Sequence, residues 1–307
     1  MAEIRFMNYM FDNALFAGSS CAFGVFDGVH RGHQFLIGEA IKSAQASRNK
    51  SIALTFDIDP DEKFHPDRLQ KLMTNEGRLD SLATSGVDAV VVLPFTDALA
   101  AYAPQEFLEK TFNGFIPESL HVGSDFRFGA RARGTVKELE SWGAQHEVCI
   151  YAHELEGSDG APITSTRIRE LLGDTAIEKA NELLGHPYSF SGKVIPGRGD
   201  GVDFGFRTAN LVIDAAIQTL GDGVYAAYAL CGGVRYKAAV SVGVSPTFAD
   251  ATKATCEVHI LDFEGDLYGA ELKLEFMHFL RPMMCFDSTE ELIATVLANI
   301  EWVRTNL

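Results

Sequence analysis

A glycine-rich loop that carries two histidines lies between an apolar run and a helical segment near the start of the chain. The loop reads Gly24-Val-Phe-Asp-Gly-Val-His-Arg-Gly-His33, after the apolar run 20–23 and before helical spacing that continues to about residue 47. Glycines let a backbone approach an anion closely, and the first N–H groups of a helix point at such an anion. His30 and His33 are three residues apart, so they share one face of the first helical turn. The loop therefore predicts a phosphate site.

Other residues of the loop belong to the same hypothesis. We assign four of them to phosphate binding: Gly24, Phe26, Asp27 and Gly32. Asp27 can bind a metal ion or cap the turn, and the sequence leaves both roles open. The alternative for the histidines is that they are polar residues at a helix start without a ligand. Two histidines in one glycine-bounded loop favour the phosphate site.

Up to residue 186 the chain alternates short β-rich runs with longer helical ones. The predicted strands are 20–23, 52–56, 89–93, 120–122 and 148–151. The predicted helices lie near 35–48, 68–85, 104–113 and 135–144. Runs such as 89–93 are apolar throughout, as expected for parallel strands that are covered on both faces. This order predicts an α/β domain over residues 1–186 with a doubly wound, Rossmann-like parallel sheet. Ligands of such sheets bind beyond the carboxyl ends of the strands, where the glycine-rich loop would lie.

From residue 187 onwards, glycines are more frequent and apolar residues recur with a period of two. In the segment 271–276, apolar and charged residues alternate, which indicates a half-buried antiparallel strand. A capping box at Ser288 then precedes a helix, with Ile293, Val296, Leu297 and Ile300 predicted on its buried stripe. We therefore predict a second domain over residues 187–307, a small antiparallel β-barrel with a terminal helix.

Composition and charge exclude several classes of protein. The chain has 307 residues, of which 47% are hydrophobic, enough to fill two cores. Its net charge of −16 argues against nonspecific binding to nucleic acid or to an anionic membrane. The five cysteines form no Cys-x-x-Cys pair, and no run of about 18 apolar residues occurs. We therefore expect a cytoplasmic protein that has small-molecule partners, while its oligomeric state is left open.

A second segment with anion-binding residues follows the predicted sheet. Thr164 or Ser165 would cap a helix whose first turns also carry Thr166 and Arg169. A charge-assisted hydrogen bond from arginine contributes about 1.5–3 kcal/mol, more than the 0.3–1 kcal/mol or so of a helix terminus. Taken alone, this segment fits an ordinary capped helix equally well.

Three motifs of the first half occur together in the order and spacing of a known family. The glycine-rich loop, Thr164-Ser-Thr-Arg-Ile-Arg169 and His121-Val-Gly-Ser-Asp-Phe-Arg-Phe-Gly129 resemble motifs in the nucleotidyltransferase domain of bacterial bifunctional riboflavin kinase/FAD synthetases. The resemblance implies transfer of AMP from ATP to FMN, which gives FAD and pyrophosphate without a covalent enzyme intermediate. It implies that His30 and His33 hold the triphosphate. It further implies that the pyrophosphate is bound by Ser165, Thr166 and Arg169. A flavin or nucleotide pocket would be lined by Asp125, Phe126 and Phe128.

One departure from this family pattern lies after the second predicted strand. The family has Pro-His-Pro there, whereas this chain reads Thr55-Phe-Asp-Ile-Asp-Pro60 and has no such histidine. Ile58 and Asp59 replace the usual proline and histidine, which leaves the flavin-phosphate contact at this point open.

The second half resembles riboflavin kinases. Gly205-Phe-Arg-Thr-Ala-Asn-Leu211 is similar to their Gly-Phe-Pro-Thr-Ala-Asn-Leu motif, and 256–263 with 266–269 resembles their catalytic strand. Strand alternation places Cys256, Val258 and Ile260 on one face and Glu257 and His259 on the other. The resemblance implies that Thr208 binds Mg²⁺, that Thr208 and Asn210 bind the ATP phosphates, and that Glu257 is the base for the ribityl hydroxyl. Five positions depart from the pattern: Val202, Arg207, Ser241, Met283 and Cys285.

These motifs lead to one main hypothesis and two alternatives. The main hypothesis is an enzyme that converts riboflavin to FMN in its barrel and FMN to FAD in its first domain, with Mg-ATP at both sites. The first alternative is an FAD synthetase whose kinase-like domain is weak or inactive. The second is a non-catalytic regulator that binds flavin or nucleotide, which is disfavoured because a binding module needs no general base.

Overall fold

A computed structural model of the chain describes residues 1–7, 13–64, 70–155, 157, 159–196, 206–243 and 255–307. The contacts divide the chain into two compact units. The first unit consists of Met1–Leu69 and Thr74–Ser165, and the second of Gln70–Met73 and Thr166–Leu307. Our domain boundary after residue 186 stays a prediction, since a division by contacts does not say which segment performs which reaction.

The first unit is built on a parallel sheet of six strands. These are Glu3–Phe6 (β1), Ser20–Phe23 (β2), Ser51–Phe56 (β3), Ala89–Leu93 (β4), Ser119–Gly123 (β5) and Cys149–His153 (β6). They are ordered β1-β4-β3-β2-β5-β6, and every neighbouring pair is parallel. The predicted doubly wound fold is confirmed, with all five predicted strands. Strand β1 was missed because it has only four residues and lies at the sheet edge, so it forms no continuous apolar run.

The strand order reverses between β2 and β5. On β2, Cys21 pairs with Ile52 of β3 on one side and with Leu120 of β5 on the other. In a doubly wound sheet, the loops that leave two such strands diverge and open a crevice at their carboxyl ends. The glycine-rich loop follows β2 and the segment that contains Asp125 follows β5, so the fold places two of the predicted motifs at this switch point.

Six described helices belong to this unit. They are Arg31–Ser47 (α1), Pro60–Phe64 (α2), Asn75–Ala83 (α3), Asp97–Ala101 (α4), Pro104–Thr111 (α5) and Val136–His146 (α6). An aromatic core packs against the sheet, where Phe23 lies 5.7 Å from Phe56 and 6.5 Å from Phe107 between ring centroids. All three rings are buried, and together they support the ends of β2 and β3.

The predicted helix 68–85 is wrong in its first part. The helix begins at Asn75, because the Thr74 hydroxyl accepts the Gly77 N–H at 3.0 Å and caps it. Residues 70–73 are not helical: Lys71 forms an isolated parallel bridge with Ile217, and the two backbones exchange hydrogen bonds there. Pairing with a distant segment overrides the local helical spacing.

The second unit contains a closed antiparallel barrel. Its strands are Tyr188–Ile195 (β7), Ala209–Ile213 (β8), Gly223–Cys231 (β9), Val234–Gly243 (β10), Thr255–Ile260 (β11) and Glu271–Arg281 (β12). They close in the order β10-β11-β8-β7-β12-β9, and each pairing is antiparallel. Its described helices are Ser165–Gly173 (α7, whose first residue is grouped with the first unit), Ile177–Leu184 (α8) and Thr289–Asn306 (α9). The predicted barrel with a terminal helix is confirmed.

The terminal helix α9 covers one side of the barrel. The Ser288 hydroxyl accepts the Glu291 N–H at 3.1 Å, as the predicted cap requires. Ile300 and Val303 are buried against a cluster that contains Phe206. The predicted burial of Leu297 is wrong, since its side chain is 52% exposed. The apolar stripe continues instead from Ile300 to Val303, three residues on.

Candidate functional site

The glycine-rich loop has an unusual backbone. Phe26 and Val29 adopt positive φ angles of 62° and 38°, and Gly28 lies between them at 78°. Positive φ is unfavourable for a non-glycine residue, so these angles persist only where the surroundings hold them. The Phe26 ring is fully buried, and the Val29 N–H donates to the Phe26 carbonyl at 3.0 Å. The loop is therefore a tight turn that presents the residues after it at the start of α1.

The two predicted histidines lie together at the N-terminus of α1. His30 is the N-cap residue, and its Nδ1 accepts the His33 backbone N–H at 3.3 Å. The two rings stack with their centroids 3.6 Å apart. Because Nδ1 of His30 acts as an acceptor, a neutral His30 carries its proton on Nε2. The pair thus combines an imidazole donor with the backbone N–H groups of a helix start.

The environment of His33 keeps its ring neutral. Burial lowers the pKa of His33 well below its ordinary value, and the charge on His30 lowers it further. Nδ1 of His33 is buried and has no hydrogen-bond partner among the described residues. Protonation of both rings is therefore unfavourable until an anion is bound nearby.

Gly32 is closely packed against the same pair. A Cβ atom at this position would lie 3.1 Å from Cβ of Leu155 and 3.2 Å from two atoms of the His30 ring. Any side chain would therefore push on the imidazole. Gly24 is similarly restricted, since a Cβ there would lie 3.2 Å from the buried Phe26 ring.

The structure brings Ser165 to the glycine-rich loop. The Ser165 hydroxyl donates to the Asp27 carbonyl at 3.0 Å, which joins the first residue of α7 to this turn. Asp27 itself is 5% exposed, and no group of three metal-binding side chains occurs among the described residues. Thr166 is exposed, and Nε of Arg169 donates to the Gln70 carbonyl at 2.6 Å within the second unit. Their pyrophosphate role stays a prediction.

The predicted flavin or nucleotide pocket is divided between surface and core. Asp125 is exposed in the loop after β5. Phe128 is only 5% exposed, with its ring centroid 5.7 Å from those of Phe107 and Phe126. Phe126 in turn lies 5.1 Å from Phe23. Phe128 is thus part of the aromatic core, and the pocket that these residues were predicted to line stays a prediction.

The acidic segment after β3 has a structural role. Oδ1 of Asp57 accepts the backbone N–H groups of Phe95 at 2.7 Å and of Ile58 at 2.9 Å. Oδ1 of Asp59 accepts the Asp61 N–H at 2.9 Å at the start of α2. These two carboxylates shape the turn that replaces the family's Pro-His-Pro segment.

The sequence reasoning missed a buried arginine behind this turn. Arg78 on α3 is 2% exposed and donates to the backbone after both β2 and β3. One signal was available: Arg78 precedes Leu82 by four residues, so it lies on the buried stripe of its helix.

In the second unit, Glu257 lies in a row of polar residues across three strands. Glu257 on β11 pairs with Asn210 on β8 and with Ser241 on β10, so the three side chains share one face. The neighbouring Cys256 and Val258 are each 1% exposed, which confirms the predicted alternation.

Thr208 is placed by a contact just before it. Nδ1 of His259 donates to the Arg207 carbonyl at 2.8 Å, which fixes the segment that leads into β8. The Thr208 hydroxyl and the Asn210 amide supply oxygen ligands, the kind that Mg²⁺ prefers. This donor set fits the predicted ion.

Two of the departures from the kinase pattern are neighbours. The Ser241 hydroxyl lies 3.5 Å from the Met283 sulfur, beside the Glu257 row. Arg207 and Cys285 are exposed. Val202 lies outside the described residues.

Comparisons with known proteins match both units. Residues 13–167 match the FAD synthetase family, and residues 184–307 match the riboflavin kinase family. A bifunctional riboflavin kinase/FMN adenylyltransferase from Listeria monocytogenes is 34% identical, over 89% of this chain and 87% of the relative. The chain belongs to the bifunctional riboflavin kinase/FMN adenylyltransferase family. The resemblance inferred from the motifs is thereby confirmed.

Further members of this transferase family are similarly close. The relative from Pseudomonas fluorescens is 31% identical, with 94% of this chain and 92% of the relative covered. The relative from Escherichia coli K12 is 33% identical, with 91% and 90% covered. A crystal structure described as a macrolide-efflux protein from Streptococcus pneumoniae superposes with a TM-score of 0.84 at 30% identity, with 99% of both chains covered. Among the described residues of this chain, no helix is both long and apolar enough to cross a bilayer.

Proposed function

We propose that this chain makes FAD from riboflavin in two steps, each of which consumes Mg-ATP. Residues 187–307 phosphorylate riboflavin to FMN, and residues 1–186 transfer AMP to FMN. The observation that carries the proposal is the presence in one chain of both sites, the stacked His30–His33 pair at a helix start and Glu257 paired with Asn210. The five cysteines, all free, agree with a cytoplasmic location.

The first site is suited to moving a nucleotidyl group. The FMN phosphate attacks the α-phosphorus of ATP in line, the bond to the β-phosphate oxygen breaks, and pyrophosphate leaves. The charge that develops on the transferred group is stabilised by the Nε2–H of His30, by His33 and by the first N–H groups of α1. Ser165, Thr166 and Arg169 receive the departing pyrophosphate. No nucleophile of the protein is required, so catalysis depends on positioning and charge.

The second site is suited to phosphoryl transfer to an alcohol. Glu257 accepts the proton of the ribityl hydroxyl while that oxygen attacks the γ-phosphorus of ATP. Thr208 and Asn210 hold the phosphates with the metal ion. Bound Mg²⁺ would neutralise phosphate charge there. The row formed by Asn210, Glu257 and Ser241 lies on one barrel face, so the base and the phosphate ligands can serve one substrate pair.

A second candidate function is an FAD synthetase whose barrel binds flavin without phosphorylating it. It is favoured by the contact between Ser241 and Met283, which puts two departures from the kinase pattern beside Glu257. The two functions differ in one observable, the formation of FMN from riboflavin.

The decisive experiment separates products after incubation of the purified chain with riboflavin and Mg-ATP. FMN and FAD together support two activities, whereas FAD from added FMN alone supports the second candidate. Formation of neither flavin contradicts both. The double variant His33→Ala/Glu257→Gln, prepared in parallel, controls for host flavin enzymes, and its preparation should form neither product. A reaction without Mg²⁺ and with added EDTA tests whether the ion is needed. Undiminished turnover would contradict the proposed role of Mg²⁺.

A further inference from the structure

Arg78 is a cation in the interior of the first unit. Its side chain is 2% exposed, which makes it one of the largest fully buried side chains of the described residues. An arginine is almost never buried to this extent unless its guanidinium is paired, because burial removes the hydration of the charge. Arg78 therefore needs hydrogen-bond or ionic partners from neighbouring residues.

The partners of Arg78 come from two different loops. Nη1 donates to the Val25 carbonyl at 3.0 Å, in the loop after β2. Nη2 donates to the Phe56 carbonyl at 2.7 Å and, at 3.3 Å, to that of Asp57, both at the end of β3. The planar guanidinium thus binds the carboxyl ends of two adjacent strands with its two terminal nitrogens, a fork geometry that a lysine lacks.

Thr55 completes this connection. Nη1 of Arg78 donates to the Thr55 hydroxyl at 2.7 Å, and that hydroxyl donates to the Val25 carbonyl at 3.2 Å. The Val25 carbonyl therefore accepts two hydrogen bonds from buried groups. It immediately precedes Phe26, whose left-handed backbone has to be imposed from outside.

The charges of both loops also meet at Arg78. Burial lowers the pKa of the guanidinium, and nearby carboxylates oppose this, with the largest contributions from Asp59, Asp27 and Asp57. Asp59 and Asp27 are themselves 7% and 5% exposed. One buried cation thus offsets carboxylates that follow β2 and β3, beside the turn at which a phosphate anion has to bind.

We propose that Arg78 is a positioning residue for adenylyl transfer, which holds the turn after β2 against the end of β3 and so fixes the His30–His33 pair. The inference rests on the proposed function. Arg78 is too deeply buried to touch a substrate, so it acts through the Val25 carbonyl and the Phe26 turn. A small displacement of groups that stabilise the transition state can cost about 100-fold in rate.

The test compares Arg78→Met, Arg78→Lys and Thr55→Val with the wild type in steady-state FMN adenylylation. We expect Arg78→Met to lower kcat about 10- to 100-fold and KM for ATP to change less than threefold. Arg78→Lys should recover part of the loss, because it keeps the charge but not the fork. Thr55→Val, which removes only the bridging hydroxyl, should lower kcat about three- to tenfold. Riboflavin phosphorylation by the same molecules is the internal reference and should stay within twofold.

Two control variants separate positioning from general destabilisation. Leu82→Ala truncates a fully buried side chain on the same helix that can donate no hydrogen bond to either loop. Lys50→Met removes an exposed cation of the same unit. Both should retain wild-type kcat at a temperature where they are folded. Equal losses of kcat in Leu82→Ala and Arg78→Met would overturn the inference, as would wild-type kcat in Arg78→Met or Thr55→Val. A wild type that makes no FAD would instead refute the proposed function.

Discussion

Acidification should destabilise the first unit through His121, a buried histidine on β5 that contacts His153 on β6. His121 is 2% exposed, and its Nδ1 shares a hydrogen bond of 3.0 Å with Nε2 of His153. Burial lowers the pKa of His121 to about 4, and the charge on His153 contributes in the same direction. Glu39 is the carboxylate that opposes this shift, and the ring of Tyr151 stacks on the imidazole. The folded state therefore binds this proton more weakly than the unfolded chain does.

The sign and size of the effect follow from that difference. The unfolded chain takes up the proton near pH 6.5, so stability is complete above this pH and is lost as the pH falls towards 4. The whole difference corresponds to about 3 kcal/mol in the free energy of unfolding. Between pH 7.5 and 5.5, the share lost through His121 alone is about 1.3 kcal/mol.

Tryptophan fluorescence can follow the first unit alone. The chain has two tryptophans, Trp142 and Trp302, and Trp302 lies in the second unit. In a Trp302→Phe background, urea unfolding at pH 7.5 and 5.5 should show a loss of stability that His121→Asn reduces by about 1 kcal/mol. His186→Asn, which removes a histidine of the second unit, is the control and should leave this pH dependence unchanged. An unchanged pH dependence in His121→Asn would refute the reasoning, whatever that variant costs at pH 7.5.

Three further predictions concern the two reactions. His33→Ala should lower FAD formation from FMN about 100- to 1,000-fold and leave FMN formation intact, with His146→Ala as the control; equal loss of both activities would contradict separate sites. Glu257→Gln should abolish most riboflavin phosphorylation while adenylylation of added FMN persists, and Glu271→Gln controls for an exposed acid on a barrel strand; an unaffected kinase rate would remove Glu257 as the base. Gly32→Ala should lower kcat for adenylylation about tenfold, because the added Cβ presses on the His30 ring, and a wild-type rate would show that the pair tolerates this shift.

The sequence alone determined the sheet and the barrel, and it proposed most of the candidate residues. Apolar runs such as 89–93 are possible only where both faces of a strand are covered, so they predicted a parallel sheet. The alternation around Glu257 likewise fixed which side chains face the barrel interior. The loop from Gly24 to His33 combined local signals for a turn, a helix start and an anion, and these residues are adjacent in the chain.

Only the tertiary structure decided what depends on contacts between distant residues. The helix expected from residue 68 starts at Asn75, because Lys71 pairs with Ile217, almost 150 residues away. The spacing of α3 places Arg78 on the buried side of its helix, but its role arises from carbonyl groups at the ends of two strands. Local periodicity reports which face of an element is buried. It contains no information about which backbone atoms another segment brings to that face.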